Sequence, residues 1–179
     1  RINKDIFQDP NYCRHDSFGY NYRMPEIAAA MGMAQTERIE EFIDLRIKIA
    51  NLYTNVIKNC DYLIPQKIPE GYRNTYWTYA LRFEHPEVSW QDFRKKYMEM
   101  GGDGIYAAWA LSYIETIISS EAFKRVCPPL YNELSFPKGI CAVAEEVQPK
   151  IMQFVNNYGS PEEAEPKVEA LLKTIKYFR

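Results

Sequence analysis

The stretch that most constrains this chain runs Gly19-Tyr20-Asn21-Tyr22-Arg23-Met24-Pro25-Glu26-Ile27 and continues as Ala28-Ala29-Ala30-Met31-Gly32-Met33-Ala34-Gln35. A turn of alternating aromatic and polar residues stops at a proline, and a helix is expected to start there. Proline suits the first helical position because its missing N–H would be unpaired anyway. Glu26 places a carboxylate in the first turn, where the helix dipole favours it. Asn21 and Arg23 stand just ahead of that start. An amide donor and a guanidinium there suit a phosphate. The same residues also read as an Asx-type turn beside a surface arginine, and physics alone leaves both readings open.

The helix is expected to run from Pro25 to about Asn59. Ile39, Phe42, Ile49, Leu52, Tyr53 and Val56 recur at three- and four-residue spacing, an amphipathic pattern. Charges such as Glu37, Glu40, Asp44 and Lys48 form its solvated side. A helix of about 35 residues would span about 50 Å, long for a globular protein, so a bend is expected, at Asn51 to Asn55. Ala28, Ala29, Ala30 and Gly32 make the first turns thin enough for another backbone to come close.

Downstream, Pro65, Pro69 and Gly71 bracket a connector. Thr75 to Phe83 is rich in β-formers and reads as a central strand. Ser89 is expected to cap a helix over Trp90–Met100 with Phe93, Tyr97 and Met100 inward. Gly101-Gly102-Asp103-Gly104 matches neither a P-loop nor a dinucleotide fingerprint and reads as a helix stop and tight turn. Ile105–Trp109 reads as a short strand, 114–140 as irregular chain with short helical pieces, and 142–147 as a short helix. Residues 150–154 read as a strand returning to the sheet. Ser160-Pro161-Glu162-Glu163 reads as the start of a last helix, with Val168, Leu171, Leu172 and Ile175 inward.

Composition excludes several classes. A net charge of −2 over 179 residues argues against nucleic acid as a partner. No stretch reaches the roughly 20 apolar residues of a membrane span. Cys13, Cys60, Cys127 and Cys141 form no CxxC pair, so reduced thiols and a cytoplasmic setting are expected. The polar start, Arg1-Ile2-Asn3-Lys4-Asp5, reads as no signal peptide, and without an initiator methionine it suggests further residues ahead of it. There is no Gly-x-Ser-x-Gly elbow, no His-Glu-x-x-His and no cluster with metal-ligand spacing; Cys13 and His15 together fall short of a tetrahedral site.

The run from Gly19 through Gln35, extending to Arg46, resembles the segment opening the C-terminal part of the DegT/DnrJ/EryC1/StrS family, pyridoxal-phosphate (PLP) dependent sugar aminotransferases of fold-type I. The resemblance implies an α/β (α+β) fold: the small C-terminal domain of such an enzyme, with a long leading helix and a short mixed sheet covered by helices. It implies a linker over 1–24 carrying the Asn-Tyr-Arg motif and the small domain over 25–179. It implies that Asn21 reaches the PLP phosphate of a neighbouring subunit and that Arg23 supports that site. The enzyme would be a homodimer with shared active sites.

The reaction implied moves an amino group from an amino acid, typically glutamate, through pyridoxamine phosphate, to a nucleotide-linked keto-deoxysugar. A related branch of the family removes a hydroxyl instead. The family's cofactor lysine, in a Ser-Phe-x-x-x-Lys-like stretch, has no counterpart in this chain, so this chain alone is expected not to complete the reaction; a non-catalytic dimerisation or binding fragment is the reading from another class. Where the family often carries a histidine-containing pocket loop, this chain has Tyr106, Trp109 and Tyr113. Tyr106 and Trp109 are candidates to stack on a sugar or base, or to be core. His15, near Asn21 in sequence, is a further candidate for the pocket.

Overall fold

The computed structural model describes residues 8–13 and 23–179. Alternation decides the sheet. In β2 (Tyr79–Phe83) Tyr79, Leu81 and Phe83 are buried while Ala80 and Arg82 are half-buried, the period-two pattern of a strand with one face on a core. β1 (Leu63–Pro65) pairs antiparallel with β2, Leu63 opposite Phe83. β4 (Ile151–Phe154) pairs antiparallel with its other side, Tyr79 opposite Phe154. With β3 (Tyr106–Ala107) the order is β1-β2-β4-β3, so β2 is internal as its continuous β-formers lead one to expect.

The described fold divides into two compact units. The larger comprises residues 26–106 and 150–179. It contains α1 (Glu26–Glu37), α2 (Ile39–Ile57), α3 (Trp90–Glu99), α7 (Pro161–Tyr177) and most of the sheet. Its core is aromatic. Tyr53 of α2 stacks on Tyr79 at 5.2 Å and tilts against Phe154 at 5.6 Å. From α3, Phe93 meets Phe83 at 5.3 Å and Tyr97 meets Phe154 edge-on at 5.4 Å. α7 packs on α2 and α3 through Ala164, Val168, Leu171 and Ile175.

The long leading helix breaks, but not at Asn51 to Asn55. It breaks at Arg38, whose amide bonds the carbonyl of Gln35, three residues back, at 3.2 Å. Across 51–55 the helix stays regular because Ile49, Ala50, Tyr53 and Ile57 are buried along one face and hold it to the core, while Asn51 and Asn55 point to solvent. The strand expected from Thr75 starts only at Tyr79. The Tyr76 N–H donates to Asn74 Oδ1 at 2.9 Å, an Asx turn that holds the chain out of the ladder.

The caps follow sequence with one substitution. Ser89 accepts from the Asp92 N–H at 3.1 Å, as its position before Trp90 predicts. Gly101 takes φ +95° just past α3, where glycine is needed. Ser160 makes no side-chain cap on α7; instead Glu163 accepts from the Gly159 N–H at 2.9 Å.

The smaller unit comprises residues 1–25 and 107–149. It is built from short pieces: 3₁₀ turns at Ser112–Ile114 and Thr116–Ser119, then α4 (Glu121–Val126), α5 (Pro128–Glu133) and α6 (Ala142–Val147). Ser120 caps α4 by accepting from the Phe123 N–H at 3.1 Å. Glu145 gathers the 139–141 turn. Its carboxylate accepts from Tyr113 Oη at 2.7 Å and from the Gly139 N–H at 2.8 Å. The Tyr113 hydroxyl holds that carboxyl below its ordinary pKa, and burial with the Glu145 bond pushes Tyr113 up to about 12. Cys13, Cys60, Cys127 and Cys141 are all free.

Candidate functional site

Asn21 and His15 lie outside the described residues. Arg23 is described and exposed, two residues ahead of the proline that opens onto α1 and its Glu26. α1 buries no side chain: Ile27 is 78% and Met31 66% exposed. Arg23 and α1 fall in different units, so each is described by its own exposure alone.

The reactive end of PLP is a different matter. An amine that forms a covalent bond to a carbonyl at neutral pH needs desolvation or a cationic neighbour to shed its proton. No described lysine is buried. Several are in surface ion pairs, such as Lys167 with Asp103 at 3.2 Å and Lys173 with Glu169 at 2.9 Å. Lys96 moves the wrong way, its pKa raised by Glu99. The described lysines do not fit the aldehyde end of PLP.

Tyr106 and Trp109 fall in different units, so each is placed by its own surroundings. Tyr106 is half-buried in β3 next to Ile105, whose carbonyl accepts from Arg94 Nε at 3.0 Å. Trp109 is half-exposed, its carbonyl accepting from Gln148 Nε2 at 3.1 Å. Trp77 was hidden inside the expected strand; it is 66% exposed. The signal that could have found it is Asn74, a turn-forming residue immediately before the β-formers.

The buried phenols are not proton carriers at neutral pH. Burial raises Tyr53, Tyr97 and Tyr158 well above the ordinary tyrosine range, and pushes Tyr79 up to about 12. They are structural donors: Tyr53 Oη donates to the Val155 carbonyl at 3.2 Å and Tyr158 Oη to Asp103. Among the described residues no group of three His, Cys, Asp or Glu is placed to hold a metal ion, and no helix is long and apolar enough to cross a membrane.

A small antiparallel sheet under α2, α3 and α7 is the fold this chain shares with solved aminotransferase structures. It overlays a solved Escherichia coli GDP-4-keto-6-deoxy-D-mannose-3-dehydratase with bound hydrated PLP at TM-score 0.59 and 18% identity, over 86% of this chain and 37% of that one. The family model for the DegT/DnrJ/EryC1/StrS aminotransferase family matches residues 5–143, and the chain belongs to that family. A GDP-perosamine synthase of Escherichia coli O157:H7 is 40% identical over 68 residues, 37% of this chain and 18% of that protein. A GDP-perosamine synthase of Vibrio cholerae is 24% identical over 150 residues, 80% of this chain and 40% of that protein. The chain thus spans two fifths or less of the length of these relatives.

Proposed function

We propose that this chain is the C-terminal part of a PLP-dependent aminotransferase that transfers an amino group from an amino acid, glutamate first among the donors to test, to a nucleotide-linked keto-deoxysugar. The observation that carries this is the similarity to a GDP-perosamine synthase along 80% of the chain, together with the Asn21–Arg23 motif ahead of the leading helix. The relatives' name makes a guanosine diphosphate-linked sugar the nucleotide sugar to test first.

In this reading residues 1–24 lead into the domain formed by 25–179. Asn21 donates to the PLP phosphate of a second subunit, and Arg23 adds a charge-assisted contact beside it. Tyr106, Trp109 and His15 belong to the substrate wall. PLP, when bound, accepts and returns the amino group and withdraws electrons from the substrate carbon. The lysine that carries it would come from the part of the protein these residues do not include.

The test is the intact mass of the polypeptide from its native source after incubation with PLP and borohydride. The expected result is a mass well above 21.0 kDa with a reduced PLP adduct. A larger polypeptide without adduct would place the protein in the dehydratase branch. A polypeptide near the mass of this chain, also without adduct, would make it a non-catalytic fragment. In the adduct-forming protein, Asn21→Ala is expected to weaken PLP retention on dialysis, and unchanged retention would remove Asn21 from the phosphate site.

A further inference from the structure

Trp77 is exposed, yet the backbone beneath it is held from several sides. Tyr76 has φ +49°, and is the only non-glycine residue among those described with positive φ. For a bulky residue that is an outlier. Arg46 Nη1 donates to the carbonyls of Tyr76 at 3.4 Å and Trp77 at 3.0 Å. Asn156, 1% exposed, donates through Nδ2 to the Tyr76 carbonyl at 3.0 Å and to the Arg46 carbonyl at 3.1 Å. Arg73 ties the preceding residues to α2 through Glu40 at 2.7 Å and Asp44 at 2.6 Å. Backbone strain of this kind costs about 1–3 kcal/mol and persists only where the surroundings over-determine it. Here the result is a tryptophan left 66% exposed rather than one buried in the core.

Trp77 forms one wall of a groove of about 780 Å³ that lies wholly within the larger unit. That volume is within the range of small-molecule sites, about 300–1,000 Å³. Phe42 and Tyr158 add aromatic surface; Gln35, Thr75 and Asn157 bring amides and a hydroxyl. Tyr158 is fixed by Asp103, which is itself paired with Lys167. The charges are already committed. Arg38 is bidentate on Glu41 at 3.0 and 2.8 Å, and Arg46 is spent on the two carbonyls. The groove therefore suits a flat uncharged ring with polar edges, not a phosphate.

We propose that this groove takes the nucleobase of a nucleotide, stacked on Trp77 with its edges toward the amides. The proposal rests on the nucleotide-sugar reading only for the presence of a nucleotide; the site follows from the groove. Stacking on an aromatic side chain is tolerant of base identity and contributes about 1–3 kcal/mol per base.

The test titrates the protein of natural length with guanosine diphosphate and follows tryptophan emission. Saturable quenching is expected, largely lost in Trp77→Phe with affinity nearly kept. Trp77→Ala is expected to weaken binding about tenfold, with far-UV circular dichroism confirming that it is folded. Quenching retained in Trp77→Phe together with unchanged affinity in Trp77→Ala would overturn the proposal. So would Trp77 emission shielded from acrylamide and insensitive to nucleotide, which would mean that another part of the protein covers the groove. The PLP adduct is scored on the same samples. An adduct with no Trp77 effect overturns the groove alone, whereas a Trp77-dependent signal without adduct keeps the groove and overturns the aminotransferase reading.

Discussion

Helices α1 and α2 follow one another across Arg38 and stand in opposite relation to the fold. α2 buries Ile49, Ala50, Tyr53 and Ile57, and its tyrosine joins both central strands. α1 buries nothing. Its sequence, Glu-Ile-Ala-Ala-Ala-Met-Gly-Met-Ala-Gln-Thr-Glu, is apolar around most of its circumference. A helix of that kind is ordinarily interior, and a helix of 12 residues is marginal in water without tertiary support. The contrast separates two jobs in one continuous segment. α2 carries the fold of the chain, while α1 carries apolar surface for which the described residues supply no core.

The largest effect that could break this comparison is at Tyr53. Tyr53→Ala removes a fully buried ring packed on Tyr79 and Phe154 and its bond to Val155. It is expected to cost about 3–5 kcal/mol in denaturant unfolding. Met31→Ala, in α1, is expected to stay within about 0.5 kcal/mol. A loss at Met31 comparable to that at Tyr53 would show that α1 belongs to the same cooperative core.

Gly102→Ala tests how tightly the core closes around α3. A Cβ there would collide with the Tyr97 ring, and that ring is buried and edge-on to Phe154. A rigid aromatic cannot swing aside as a flexible tip can, so a cost of about 1–3 kcal/mol is expected, read as a lowered urea midpoint with an unchanged slope. No cost would mean that the aromatic layer under the sheet is loosely packed, which would weaken the contrast with α1.

The sequence made α2, α3, α7 and the central strands legible because their apolar positions repeat at the period of the element they form. Ser89 before Trp90 and Gly101 after Met100 marked helix ends for local reasons that need no tertiary partner. What pattern could not show was the competition between local and distant contacts. Asn51 and Asn55 look like weak points in a helix, but Tyr53 between them is anchored from three sides. Thr75 to Trp77 look like strand, but Asn74, Arg46 and Asn156 bond that backbone elsewhere. Arg46 and Asn156 are 110 residues apart, so no window of sequence contains that clamp. Of the candidate site, the helix start after Pro25 was legible from proline chemistry, while the roles of Asn21 and Arg23 come from the family resemblance and are proposals. Trp77 was read as strand, because a tryptophan among β-formers has the same appearance inside or outside and only Asn74 ahead of it marks the turn.

The smallest effect is also the one that best resolves the two helices. Gly32 lies in the interior of α1 with ordinary φ, and a Cβ added to it meets nothing within 4 Å. Replacing glycine by alanine inside a helix favours the helix by about 0.5–1 kcal/mol. If α1 opens independently of the core, Gly32→Ala will slow hydrogen exchange of α1 amides about two- to fivefold, the same free energy expressed as a ratio. The urea midpoint of the whole chain will then stay where it was. If the midpoint rises by that amount instead, α1 unfolds with α2 and the separation of jobs fails. The measurement needs both readouts on one sample, because amide protection reports the local opening and the midpoint reports the global one. Only their disagreement shows that an exposed apolar helix is attached to this fold without being held by it.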